Sequence, residues 1–338
     1  MKSPKIVCLG EALVDRLGPL GGDPGFDKPV TDCFGGAPAN VACALARLGV
    51  NVSFLGSLGN DSFGQNFKDL MQNRGINITG LQQDNIRPTR IVLVRRDAAG
   101  ERSFQGFKGD LGCGFADQAI SLNQLLKDWS LLASKAQWLV VGTIPLASKI
   151  SAETFSWCIQ SALNNGMKIA VDLNWRPTFW RDKFSEELAP TNLEINQIKP
   201  FLNNISLIKL AKEEAQWFFD SVRPMEISSM LPQRPSVIVT DGANPISWLL
   251  NNNSGISNAI SPFSIVDTTG AGDAFTAGLM YKLLSVDLDK VSNKIAEDII
   301  QFASACGSYV CQGVGAIDSQ PYLEDVDKFI SSSNGENI

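Results

Sequence analysis

The 338-residue chain contains no histidine. That absence removes Ser-His-Asp triads, Cys-His nucleophile pairs, His-liganded zinc and HExxH metalloproteases. Acid–base chemistry must then rest on Asp, Glu, Lys, Tyr or Cys. No CxxC pair joins the seven cysteines, Cys8, Cys33, Cys43, Cys113, Cys158, Cys306 and Cys311. Their odd number and mostly apolar surroundings predict buried thiols in a reducing compartment, hence a cytoplasmic location. Basic runs never exceed Arg95-Arg96 and the net charge is −6, which argues against a nucleic-acid surface. The opening MKSPKIVCLGEALVD has no signal-peptide core. No apolar run approaches the ~18 residues of a membrane span. A GxxxxGK[ST] loop is missing, and no GxGxxG opens an early βαβ unit, which argues against a P-loop enzyme and a dinucleotide dehydrogenase.

With 44% apolar and 19% charged residues, the composition suits one large α/β domain or two smaller ones. Brief apolar runs at Ile6–Gly10, Val52–Gly56, Trp138–Gly142, Ile169–Leu173, Ser206–Leu210 and Val237–Thr240 read as strands buried on both faces. Helical spacing fills the intervals. Val41, Ala44, Leu45 and Leu48 recur at i, i+3, i+4 and i+7 in Pro38–Leu48, with Gly49 as the stop, and Phe155, Cys158, Ile159 and Ala162 repeat the pattern in Thr154–Asn165. This alternation predicts an α/β fold: a doubly wound, mainly parallel sheet flanked by helices, with ligands beyond the carboxyl ends of its strands.

Two stretches break the rhythm. Arg90–Arg96 and Glu101–Phe107, around Asp97-Ala98-Ala99-Gly100, read as a β-hairpin, and residues 12–34 hold short strand-like pieces among Gly and Pro. Together, at about 12–34 and 88–110, they read as a small antiparallel lid; the plainer alternative is two decorated loops. Asn251–Asn253 marks a turn between Ile246–Leu250 and Ile256–Ile260. Residues 1–330 are expected to form one domain, and 331–338 a polar, frayed tail.

Chemistry concentrates in two motifs. In VDTTGAGDAFTAG, residues 266–278, the small Gly270, Ala271 and Gly272 precede a helix carrying Phe275, Leu279 and Leu283 on one face. A helix N-terminus holds unpaired N–H groups and partial positive charge, and glycine lets an anion reach them. Asp273 falls in the first turn, where a helix cap and a chemical role are both open readings. In Phe34-Gly35-Gly36-Ala37-Pro38-Ala39-Asn40, Pro38 suits the start of a helix and Asn40 offers a donor and an acceptor from the first turn.

GGAPANVACALARLG followed far downstream by DTTGAGDAFTAG resembles the two signatures of the PfkB carbohydrate kinases, the ribokinase family. GEALVD at 10–15, GSLGNDSFG at 56–64, DLNWRPTFW at 172–180 and VTDGANP at 239–245 extend the resemblance over roughly residues 5–318, closest to the fructokinase branch. The resemblance implies a ribokinase-like fold with a small β-sheet lid and transfer of the ATP γ-phosphate to a sugar hydroxymethyl group. Asp273 would be the base, and Gly270, Ala271 and Gly272 the anion hole. Asp15, Gly35, Gly36, Asn40 and Arg176 would bind substrate. Asn174, Lys209, Thr240 and Gly242 would border ATP. Glu214 would serve Mg²⁺, and Asp267 and Thr269 a monovalent cation such as K⁺. A carboxylate of ordinary pKa, ~3.9, can serve a loose phosphoryl-transfer transition state.

Two segments depart from the family pattern. Ala211 stands where Asn is usual before Glu214, which bears on magnesium. Phe107–Gly114 replaces an Arg-Asn-Pro-like segment expected to touch sugar. Fructose is the expected acceptor; 2-keto-3-deoxygluconate, ribose or a nucleoside is the alternative, as is a catalytically weak fructokinase-like scaffold. Monomer and homodimer are both open.

Overall fold

The computed structural model describes residues 3–97, 102–181 and 187–333. Strand β1 (Ile6–Leu9) is an interior strand of the large sheet. Ile6 and Cys8 enter the core on one face of the sheet, Val7 and Leu9 the core on the other. This two-sided burial is why the strand reads as an unbroken apolar run. Each such Ile or Leu contributes about 1.5–3 kcal/mol of burial.

The chain leaves this strand through β2 (Leu13–Leu20) and β3 (Thr31–Gly35), then returns through α1 (Ala37–Arg47). Gly49, at φ 83°, ends that helical turn as expected. Next come β4 (Val52–Gly59), α2 (Ser62–Asn73), β5 (Leu81–Asp84), and the outlying pair β6 (Ile91–Arg96) and β7 (Arg102–Lys108). The second half begins with α3 (Leu122–Ala133), β8 (Trp138–Val141), α4 (Lys149–Asn164), β9 (Lys168–Asp172), α5 (Pro177–Trp180) and α6 (Asn192–Ile198). It continues with β10 (Leu207–Ala211), α7 (Lys212–Phe219), α8 (Pro224–Ser229) and β11 (Ser236–Thr240). A hairpin, β12 (Ile246–Leu250) and β13 (Asn253–Ser257), precedes α9 (Ala271–Leu283), α10 (Asn293–Val310) and α11 (Leu323–Ser333).

Among the described residues the large sheet runs β13-β12-β11-β10-β9-β8-β1-β4-β5. It is parallel from β5 to β11, and the β12–β13 hairpin closes it antiparallel. The six core strands expected from the sequence are all present. The last hairpin turns more tightly than expected: Leu250 pairs with Asn253, so the second strand starts at Asn253 and ends at Ser257. Asn251, at φ 56°, supplies the left-handed turn conformation. α4 begins at Lys149, ahead of the expected Thr154, and α11 carries Ser331–Ser333 in helix rather than tail. Residues 334–338 lie outside the described residues.

The lid is a sheet of order β3-β2-β6-β7. One expectation is corrected: it is not wholly antiparallel, because β2 and β6 pair parallel. β2 follows β1 and β6 follows β5, both strands of the parallel core, so the two enter the lid in the same direction. Ala98–Gly100 of the expected β6–β7 turn lie outside the described residues. A second correction concerns the thiols. Cys8, Cys43, Cys158, Cys306 and Cys311 are buried and free, but Cys33 is half-buried on the lid and Cys113 is exposed. Among the described residues, no helix is long and apolar enough to cross a membrane.

α9 is buried on nearly all sides, between the sheet, α1 and α10. Gly278 permits the closest approach: a Cβ there would stand 2.8 Å from Cys306 Sγ and 3.0 Å from the Ala303 Cα on α10. Gly278→Val should therefore destabilise the fold by about 1–3 kcal/mol, read as a lower denaturant midpoint at unchanged slope. An unchanged midpoint would show that α9 and α10 separate freely.

Candidate active site

Two helix starts meet at the carboxyl ends of the strands. α1 begins after Gly36, whose φ of 103° is a left-handed value and whose Cβ would lie 2.5 Å from the Glu11 carbonyl oxygen. α9 begins after Gly270, in the left-handed conformation at φ 82° with a Cβ position only 2.5 Å from the Ala316 Cβ. Only glycine meets both demands at each position. Asn40 is fixed on the first turn of α1 and Asp273 on the first turn of α9. The Asn40 Nδ2 donates to Asp273 Oδ2 at 2.7 Å across 233 residues of chain. Asp273 is therefore not a simple helix cap: its carboxylate turns outward to another element.

Beneath this pair lies a buried ionic cluster. Asp172 ends β9 and accepts from Lys209 Nζ on β10 at 3.1 and 3.2 Å, and from the Thr276 hydroxyl on α9 at 2.8 Å. The Lys209 ammonium also sits below Gly272, where a Cβ would come within 3.0 Å of it. Burial works against that charge, yet the carboxylates of Asp172, Glu214 and Asp273 outweigh it and hold Lys209 above its ordinary range. For Asp273 the balance is reversed. Burial, then the Asp172 carboxylate, push it up to about 6, against the Asn40 hydrogen bond and the charges of Lys209 and Arg176. The ordinary carboxylate pKa expected from sequence is thus displaced upward.

The other expected residues surround this centre unevenly. Asp15 on β2 lies over Gly35, where a Cβ would come 2.7 Å from Asp15 Oδ2. Register places Asp15, Cys33, Val92 and Phe107 side by side across the lid. Arg176 precedes α5 as an exposed residue, its Nη1 donating to the Trp175 carbonyl at 2.9 Å, and its charge reaches both Asp273 and Glu214. Thr240 ends β11 and Gly242 lies just past it, two strands and so about 10 Å from β9. The Thr240 hydroxyl donates to the Leu210 carbonyl at 3.3 Å, and Gly242, at φ 56°, faces open space. Asn174 adopts a left-handed φ of 44° just after β9.

Glu214 is buried with both oxygens engaged, Oε1 by the Trp175 amide at 2.6 Å and Oε2 by the Ala211 amide at 2.8 Å. Burial raises its pKa, and Lys209 partly offsets this. The Asp267 carboxylate ties two loops together, accepting the Thr269 amide at 3.0 Å and the Gly315 amide at 2.8 Å.

Sequence reasoning left several residues of the centre unassigned. Asp172 and Glu11 stand inside quoted motifs, DLNWRPTFW and GEALVD, so a signal existed. Gln320 has none: it is buried, donates from Nε2 to the Asn40 carbonyl at 2.9 Å, and accepts from Arg74 at 2.8 Å. Arg90, at the base of the lid, makes a buried bidentate pair with Asp117 at 2.8 and 2.9 Å. Its guanidinium is enclosed by Phe107, Phe115 and Phe179 at 4.4–4.8 Å from the ring centres. This joins the lid hairpin to the core.

Because Asp273 rises from 3.8 to about 6 on folding, the folded state holds its proton more tightly. The native protein therefore loses stability as pH climbs from about 3.8 to about 6. Asp273→Asn removes that loss and should melt at a higher temperature than the native protein at pH 7. A lower melting temperature would contradict the raised pKa.

The sequence matches the description "pfkB family carbohydrate kinase" over residues 3–323. A probable fructokinase-7 of Arabidopsis thaliana is 30% identical, covering 97% of this chain and 93% of the relative. A fructokinase of Salmonella typhimurium is 30% identical over 96% of this chain and 98% of its own length. Among solved structures, a fructokinase with bound ATP from Xylella fastidiosa superposes with TM-score 0.82 at 26% identity, covering 97% of this chain and 98% of that one. A fructokinase from Vibrio cholerae O395 in a fructose-, ADP- and calcium-bound form gives 0.80 at 26% identity, covering 97% and 99%. With the family match spanning nearly the whole chain, the chain belongs to the pfkB family of carbohydrate kinases and is a phosphotransferase with a ribokinase-like fold.

Proposed function

We propose that this kinase transfers the γ-phosphate of ATP to the hydroxymethyl group of fructose. The carrying observation is the Asn40–Asp273 hydrogen bond, which holds a carboxylate of pKa about 6 beside the N-terminus of α9. The fructokinases among its relatives, and the fructose in the Vibrio structure, support that acceptor.

Asp15, Gly35, Gly36, Asn40 and Arg176 bind the sugar. Asp273 is mostly ionised at pH 7 and takes the hydroxyl proton as the oxygen attacks phosphorus. The bond to the leaving ADP oxygen breaks, and the amides of Gly270 and Gly272 face the charge on the moving phosphoryl group, with Ala271, whose amide donates to the Thr268 carbonyl at 3.2 Å, shaping the turn between them. Lys209, expected beside the nucleotide, supports this charge from below Gly272. Thr240, Gly242 and Asn174 border ATP. The lid, within a single domain spanning 1–330, excludes water from the cleft.

Among the described residues, no group of three or more His, Cys, Asp or Glu could hold a metal ion. Mg²⁺ would enter with ATP, held mainly by phosphates and water, with Glu214, whose two oxygens already accept the Trp175 and Ala211 amides, acting on it through its charge. When bound, it neutralises phosphate charge. Asp267 and Thr269 border a K⁺ site. The enzyme works in the cytoplasm as a monomer or homodimer on these small molecules.

ADP release with Mg-ATP and a panel of sugars, with and without K⁺, tests the assignment. Fructose should give the highest kcat/KM, and K⁺ should raise it. No release with any sugar would favour a binding or scaffold protein. Asp273→Asn should lower kcat by about 10²–10⁴-fold with sugar binding largely kept.

The native kcat/KM should also fall as pH drops through about 6, where Asp273 gains its proton. The Asn40 bond favours the ionised form, so Asn40→Ala should shift this acid limb to higher pH. An acid limb that stays in place in Asn40→Ala would separate Asn40 from the base.

A further inference from the structure

Glu11 lies between β1 and β2 and is 1% exposed. Its Oε1 accepts the Ala37 amide at 3.0 Å. Gly36, the residue before α1, has no side chain to cap the helix, so Glu11 does so from 26 positions away. Its Oε2 is buried without a hydrogen-bond partner.

The titratable groups acting on Glu11 from other elements are both carboxylates, Asp117 before α3 and Asp273 on α9. The cation beside Asp117, Arg90, is held bidentate by it. An ionised Glu11 would thus be a buried anion with amide donors alone, facing two like charges, an arrangement that proteins avoid by protonation. Burial foremost, then these two carboxylates, push Glu11 up to about 8, although the amides of Ala37 and of Glu11 itself pull the other way.

We propose that Glu11 is a positioning residue that works as a neutral carboxylic acid, fixing the first turn of α1 and through Asn40 the Asp273 carboxylate. This rests on the reading of Asp273 as the base. Neutrality matters because a further anion beside Asp273 would raise that group's pKa and repel the incoming phosphates. The sugar-dependent rate should therefore fall as pH rises through about 8, where Glu11 ionises.

The test compares Glu11→Ala and Glu11→Gln by kcat/KM across pH. Glu11→Ala should lose about ten-fold near neutral pH, the scale of losing one helix cap. Glu11→Gln, which keeps the acceptor oxygen and a neutral head, should recover most of that loss and should lack the alkaline fall. Glu11→Gln as impaired as Glu11→Ala, or an alkaline fall that persists in it, would overturn the proposal.

Thermal melts provide a readout independent of activity. Glu11 rises from 4.5 to about 8 on folding, so the native protein should lose stability across that interval. Glu11→Gln should show a shallower decline. Identical pH slopes overturn the proposal even if no sugar is phosphorylated, whereas a shallower slope without kinase activity would leave Glu11 neutral and the acceptor assignment wrong.

Discussion

The site depends on one hydrogen bond, from Asn40 Nδ2 to Asp273 Oδ2. It joins the first turn of α1 to the first turn of α9, so the two glycine-framed helix starts are held together. Everything that fixes either helix therefore bears on the carboxylate. The α9–α10 crossing fixes one side. Gln320, held by Arg74 and bonded to the Asn40 carbonyl, fixes the other. The C-terminal stretch between α10 and α11 thus supports the centre through the Asn40 carbonyl and the Gly270 turn.

The electrostatics follow from where the strands end. β9 and β10 lie side by side in parallel, so Asp172 and Lys209 face each other in register. Their pair lies under α9, bonded to Thr276 and adjoining Gly272. The cluster mixes signs. Asp172 makes Asp273 more basic, while Lys209 supplies positive charge close to the helix terminus that would face a phosphoryl group. A buried pair of this kind is weak evidence of stabilisation; here its position beneath the two helix starts gives it a chemical consequence.

Most of the sheet was legible because its strands are buried on both faces, which leaves a short apolar run of uniform character. The lid was legible as strands but not in its pairing. Whether β2 and β6 run together or opposed depends on the direction in which the core releases them, and no local residue pattern records that direction. The exposed Cys113 escaped for a related reason: a cysteine between glycines carries no periodicity that reveals its burial. Asp273, Asn40 and the glycines were found because helix starts and backbone openings are local features. Asp172, Glu11, Gln320 and Arg90 were not, since each acts through a partner 26 to 280 residues away.

By itself, then, the sequence bounded the chemistry and left the role of Asp273 open until the family resemblance was drawn: no histidine, small residues ahead of a carboxylate at a helix start, and a second glycine turn bearing an amide. These are properties of residue type and short spacing. Only the tertiary structure decided how basic Asp273 is, which carboxylate opposes it and which ammonium lies beneath. A pKa is set by desolvation and by charges a few ångströms off, and those neighbours come from β9, β10 and α1, brought together only when the sheet forms.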